Sequence, residues 1–150
     1  MGKRPTTFKK QNRQKNKTQN RRPNIQNKSH IVKIFIELLN MVKLYHWKTR
    51  SYAKHKATDE LYQNLNKHID EFVEIMLGKD QSRIKMVEKR IDLLNASSSQ
   101  EFKQRIHEYR EFLIDLNLYF GQGADTDLLN SRDEILGDIN QFLYLMSFDK

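Results

Sequence analysis

From His30 to about Arg50, the apolar residues Ile31, Ile34, Phe35, Leu38, Val42 and Tyr45 recur three or four positions apart, which gathers them on one face of an α-helix. The Ser51-Tyr52-Ala53-Lys54 stretch makes a brief connection, and a second helix then runs to about Gly78 with Leu61, Leu65, His68, Phe72 and Ile75 or Met76 inward. Ile84, Val87, Ile91 and Leu94 predict a shorter helix, closed by a turn at 95–99. Ser98 with Glu101 has the form of a capping box for a third long helix, whose buried stripe is Phe102, Ile106, Tyr109, Leu113, Leu116 and Phe120. The Gly-Gln-Gly-Ala run at 121–124 breaks that helix. Asp125 or Thr126 caps a last one, with Leu129, Leu136, Ile139, Leu143 and Met146 inward. No strand pattern competes, so the expected class is all-α: a four-helix bundle with a short extra helix between the second and third.

A chain of 150 residues suits one domain with a real core. There is no cysteine, which removes disulfides, thiolate metal sites and a cysteine nucleophile, so any metal must be held by His, Asp and Glu. No apolar run approaches the length of a membrane span, and no apolar segment near the start has the form of a secretory signal. The expectation is a soluble intracellular protein with no membrane partner.

Charge divides the chain in two. Residues 1–29 hold ten basic residues (Lys3, Arg4, Lys9, Lys10, Arg13, Lys15, Lys17, Arg21, Arg22 and Lys28) and no acid, so of the net +8 this arm supplies +10 and residues 30–150 carry −2. The arm is rich in Asn, Gln and Thr and has almost no large apolar residues, so it is expected to stay disordered until bound. Polycations of this kind meet phosphate polymers, because release of the nucleic acid's counterions supplies affinity that is blind to sequence and weakened by salt. All ten basic residues are candidate nucleic-acid contacts. Lys3-Arg4-Pro5 and Arg21-Arg22-Pro23 equally fit a localisation signal, and a plain solubilising tail is the remaining alternative.

One polar stripe of the second helix carries candidate metal chemistry. His55 and Asp59 are four residues apart, Asp70 and Glu74 are four apart, and eleven residues, about three turns, separate Asp59 from Asp70. All four side chains therefore fall near one line. Asp59 and Asp70 nevertheless lie roughly 16–17 Å apart along the axis, while ligands of one ion sit about 2.0–2.2 Å from it. One helix cannot close the site. Two copies packed antiparallel about a two-fold axis would bring the His55/Asp59 end of one against the Asp70/Glu74 end of the other, giving two equal sites per dimer. Imidazole with carboxylate suits iron, manganese or zinc. The plain alternative is a solvated stripe of ordinary helix pairs. His68 stands half a turn from Asp59, so it is assigned to the core or to a partner contact.

The run His55-Lys56-Ala57-Thr58-Asp59-Glu60-Leu61-Tyr62, continuing to Asp70-Glu71-Phe72-Val73-Glu74, with His46-Trp47 upstream, resembles the Dps family, the DNA-binding proteins from starved cells, which are miniature ferritins. The resemblance is dense over about residues 30–78 and looser over 125–147, where Thr126-Asp127-Leu128-Leu129 and the helix after it look like the family's last helix. It implies a ferritin-like bundle and a ferroxidase centre at a two-fold interface. His46, His55 and Asp59 would come from one chain and Asp70 and Glu74 from its partner, with Trp47 packed beside the site. It further implies oxidation of Fe²⁺ by hydrogen peroxide or oxygen, storage of ferric iron in a shell of twelve subunits, and a cytoplasmic or nucleoid-associated place. The basic arm is similar to the Lys-rich tails that some members use on DNA.

The chain departs from the family in one respect. The nine-residue interval from His46 to His55 is shorter than the family's, and the missing residues fall in the loop that aims the first helix at the second. The His46-Trp47-Lys48-Thr49-Arg50-Ser51-Tyr52 run also resembles an uncharacterised family of large DNA viruses, which implies a second function: a structural DNA-condensing protein of the virion or host cell that keeps the fold without ferroxidase chemistry. A helical scaffold with neither metal nor nucleic acid is the third.

Overall fold

The computed structural model describes residues 25–148. Among them there are four α-helices and no strand: α1 (Ile25–Lys48), α2 (Tyr52–Gly78), α3 (Ser99–Asp115) and α4 (Thr126–Met146), with a 3-10 turn at Leu116–Leu118 continuing the line of α3. None of the helices is long and apolar enough to cross a membrane. α1 begins at Ile25, ahead of the expected start, so Lys28, counted with the arm, belongs to this helix. Its buried ammonium donates to the Asp80 carboxylate and the Ser82 hydroxyl. The other nine basic arm residues lie outside the described region.

Packing fixes the direction of each helix. A tight corner at 49–51 turns α2 back along α1, and Phe35 meets Phe72 edge to face across that pair. α2 packs most extensively on α4. Those two are antiparallel, since His68 bonds Asp138 while Lys79, past the end of α2, reaches Asp125 and Asp127 at the start of α4. Aromatic rings bridge α1 and α3, Tyr45 stacking on Phe102 at 4.0 Å and Phe35 meeting Phe112. α1 thus runs up, α2 down, α3 down and α4 up, and one long connection must carry the chain from the bottom of α2 to the top of α3.

That connection corrects one expectation. Residues 82–96 form no helix; the segment is an extended strap laid along α1. The cause is long-range. The Val87 N–H donates to Ser29 Oγ at 2.9 Å and the Asp92 N–H to the buried Glu37 carboxylate at 3.2 Å, so α1 side chains replace the carbonyls a helix would have supplied. Ser29 and Glu37 are eight residues apart on α1, about 12 Å, whereas five residues of helix from Val87 to Asp92 would advance only about 7.5 Å. Extended backbone covers the interval. The strap turns upward at Gln81, whose φ of 54° is left-handed, and ends where Lys48 donates to the Ala96 carbonyl at 2.9 Å.

The core agrees closely with the expected faces of α1 and α3: all six residues of the predicted α3 stripe are buried. The α3 cap has the expected Ser98, whose Oγ accepts the Glu101 N–H at 3.1 Å. The Glu101 carboxylate reaches back to the N–H and hydroxyl of Ser97 rather than to Ser98. Asp125 is the N-cap residue of α4, yet its carboxylate accepts the Gly121 N–H at 2.9 Å instead of an α4 amide. The α4 face is rotated from expectation. Leu128, Ile135 and Phe142 lie fully inside, while Leu136 and Leu143 are only partly covered.

Candidate functional site

The corner between α1 and α2 builds the first half of the candidate site. Ser51 leaves the helical region (φ −89°, ψ 121°) and its hydroxyl accepts the Lys54 N–H, which starts α2 three residues after α1 ends. So short a corner holds the last turn of α1 against the first turn of α2. His46 and His55 face one another there, with ring centroids 3.9 Å apart and planes 24° from parallel. His46 is 7% exposed, and His55 lies open at the surface.

The hydrogen bonds around this pair assign its protons. His46 Nδ1 lies 3.0 Å from the His55 carbonyl, and His55 Nδ1 lies 3.1 Å from the His46 carbonyl. A carbonyl only accepts, so each Nδ1 carries the hydrogen and donates. Thr58 completes the arrangement. Its buried hydroxyl donates to the Lys54 carbonyl at 2.7 Å and receives His46 Nδ1 at 3.3 Å. The neutral form of each ring then has its lone pair on Nε2, and no protein partner occupies either Nε2 among the described residues. A backbone-anchored Nδ1–H with an open Nε2 is the usual preparation of a histidine for a metal ion.

The carboxylates lie along α2 below the pair. Asp59, one turn on from His55, is half-buried and accepts the Gln63 side-chain N–H at 3.2 Å. Asp70 and Glu74 are exposed and make no ion pair among the described residues. Within one chain, no group of three or more His, Asp or Glu side chains among the described residues converges on a common point. His46 and His55 are brought together, and Asp70 and Glu74 are left on the far half of the same helix. Trp47 is 69% exposed, with the Lys43 ammonium 5.7 Å from its ring centroid and 4.4 Å from that of Tyr62.

His68, expected in the core or at a partner contact, is half-buried and pairs with a carboxylate of its own chain. Its Nδ1 is 2.6 Å from Asp138 Oδ2 on α4, and burial pushes the Asp138 carboxyl above its ordinary pKa, with the His68 bond opposing that shift. Sequence reasoning missed the Asp138 partner and the part played by Thr58. Helical spacing marks neither, because Asp138 lies seventy residues from His68 and the Thr58 contact depends on the angle of the corner.

The class these features define is an all-α bundle with an extended crossover strap and a paired-histidine corner. Residues 46–146 match the model of a family of unknown function, DUF5856, and the chain belongs to that family. The match opens at His46 and closes at Met146, so it contains the histidine corner, the strap and the last helix. No curated protein and no solved structure matches the chain.

Proposed function

We propose that the protein is a ferritin-like, Dps-like iron-oxidising protein whose metal sites are shared between two copies and whose basic arm binds DNA. The observation that carries the reading is the reciprocal anchoring of His46 and His55, which leaves the Nε2 of each stacked ring without a protein partner among the described residues, with Asp59 one helical turn on from His55. The path of the chain supports it, since up, down, down, up with one long crossover is the connectivity of ferritin-like bundles.

In such a dimer His46, His55 and Asp59 of one chain and Asp70 and Glu74 of the other would receive Fe²⁺ as substrate. Two Fe²⁺ ions give one electron each to one hydrogen peroxide, which takes up two protons and leaves as two waters. The carboxylates hold the ferrous ions and stabilise the added positive charge of the ferric product. A twelve-subunit shell storing that product follows the same resemblance. The test is to add Fe²⁺ and peroxide to purified protein and follow ferric absorbance, comparing Asp59→Ala and Glu74→Ala with the unaltered chain. Slow variants support the reading, and equal rates in all three end it.

A second reading, a DNA-condensing protein of a nucleoid or virion without iron chemistry, is favoured by the arm, which holds nine basic residues and no acid in residues 1–24. Deleting residues 1–24, which leaves α1 whole, should abolish low-salt gel shifts of duplex DNA. If metal content and ferric absorbance are both nil while those shifts persist in the full chain, this reading replaces the first.

A further inference from the structure

The corner that holds the histidines has a second chemical character. From Lys43 to Lys56 the chain carries five basic residues, Lys43, Lys48, Arg50, Lys54 and Lys56, and no acid. Lys43, Lys48, Arg50 and Lys56 make no ion pair among the described residues. Lys48 donates only to neutral oxygens, those of the Asn95 side chain and the Ala96 carbonyl. Two aromatic rings stand in this cationic surface, Trp47 at 69% and Tyr52 at 78% exposure, one on each side of the corner.

We propose that the α1–α2 corner is a binding site for single-stranded nucleic acid, with Trp47 and Tyr52 as stacking platforms for unpaired bases and Lys43 and Arg50 as contacts to the phosphates between them. Leaving two large aromatic side chains in water gives a bundle no packing stabilisation, whereas a planar base covers such a ring on one face. The Lys43 ammonium lies 5.7 Å from the Trp47 ring centroid, so a cation stands beside the ring to attract the phosphate of a base stacked on the ring's other face. A duplex keeps its bases stacked on one another and can use only the charge, so unpaired strands are the favoured ligand. The site is separate from the arm, which has cations but one aromatic residue, Phe8.

The site is compatible with the antiparallel dimer proposed above and does not rest on it. With residue 59 opposite 70 and 55 opposite 74, position 51 faces Gly78, the last residue of the partner's α2. Trp47 and Arg50 therefore lie beyond the paired stretch, and Tyr52 lies at its margin.

Trp47 is the chain's one tryptophan, so the protein's indole emission reports this corner alone. The full chain is titrated at low salt with a short oligothymidylate while Trp emission and the anisotropy of a labelled oligonucleotide are followed together. The expected result is saturable quenching that tracks anisotropy and is reversed by added salt. Tyr52→Ala should weaken binding about tenfold, the loss of one stacked base, with unchanged helical circular dichroism. Binding without quenching would assign the strand to the arm and overturn the proposal. Equal quenching by a duplex overturns the choice of ligand. A change of oligomeric state in Tyr52→Ala, with no effect on oligonucleotide binding, would assign the corner to a second copy of the chain. None of these outcomes touches Fe²⁺ oxidation, so failure here and failure of the ferroxidase reading remain distinguishable.

Discussion

His46 and His55 hold each other through the main chain: each ring donates from Nδ1 to the carbonyl of the other residue, and the two rings stack at 3.9 Å. Deleting one ring therefore removes its own hydrogen bond and the stack, but leaves the other ring its carbonyl acceptor. His46→Ala, at the buried position, should cost about 2 kcal/mol of stability and His55→Ala, at the surface, about 1 kcal/mol. Their coupling should amount only to the stack, about 1 kcal/mol or less. Urea unfolding of the two single variants and the double variant measures this. A coupling well above that value would mean that the rings share more than their faces.

The two-chain character of the proposed metal site has its own test. Asp59→Ala and Glu74→Ala should each be slow in Fe²⁺ oxidation, because each breaks both sites of a dimer. In a mixed dimer, however, the Glu74→Ala chain still supplies His46, His55 and Asp59 while the Asp59→Ala chain supplies Asp70 and Glu74. One of the two sites is then complete. Co-expression of the two variants should restore about a quarter of the unaltered rate, since half of randomly formed dimers are mixed and half of their sites are whole. No recovery would assign the chemistry to single chains.

Acid should release the strap at its lower end. The Lys28 ammonium, with help from Ser82, holds the Asp80 carboxyl down at about 2, below the ordinary carboxylate range. A lowered folded-state pKa means that the stabilisation is fully present above the ordinary carboxylate value of about 4 and is lost as pH falls toward the folded value. Backbone amides near Ser82 and Val87 should therefore exchange faster as pH drops from about 4 to about 2, after correction for the intrinsic rate. Asp80→Asn should remove that pH step, and its persistence in the variant would show that another group anchors the strap.

Much of this fold is legible in the residues themselves, and its failures have physical causes. The α3 stripe reads correctly because large apolar residues sit at helical spacing with charged residues between them. The strap misreads because Ile84, Val87, Ile91 and Leu94 have the same spacing, and what keeps the segment extended is Ser29 and Glu37 on α1, more than fifty residues away. On α4 two apolar rows run side by side, Leu128, Ile135 and Phe142 next to Leu129, Leu136 and Leu143, and the pattern alone cannot choose which row points inward. The candidate site divides in the same way. The short loop after His46 puts the reach of that residue to the site in question, and the stacking of the two rings, each with its Nδ1 on the other residue's carbonyl, depends on the angle of the corner. The Asp59 to Asp70 interval declares that any common ion needs a second chain.

Arg132 shows how a charged residue entered the buried face of α4. Only 6% exposed, it donates from Nη1 to the Leu113 carbonyl at 2.8 Å, from Nη2 to the Asn117 side chain at 3.2 Å and from Nε to Asp133 at 2.7 Å. The last carbonyls of a helix lack the usual i→i−4 donors; at the end of α3 the Leu113 carbonyl takes the Leu116 N–H and this guanidinium as well. Arg132→Ala should cost about 2–4 kcal/mol, removing three hydrogen bonds and leaving a void beside the Leu113 carbonyl, which keeps only the Leu116 N–H. Arg132→Lys should recover little, because one ammonium cannot reach three acceptors fixed in the geometry of a planar fork. Thermal unfolding and amide exchange at the 3-10 turn, Leu116–Leu118, would measure both effects. A lysine variant as stable as the native chain would show that charge alone, and not the shape of the guanidinium, secures the end of α3.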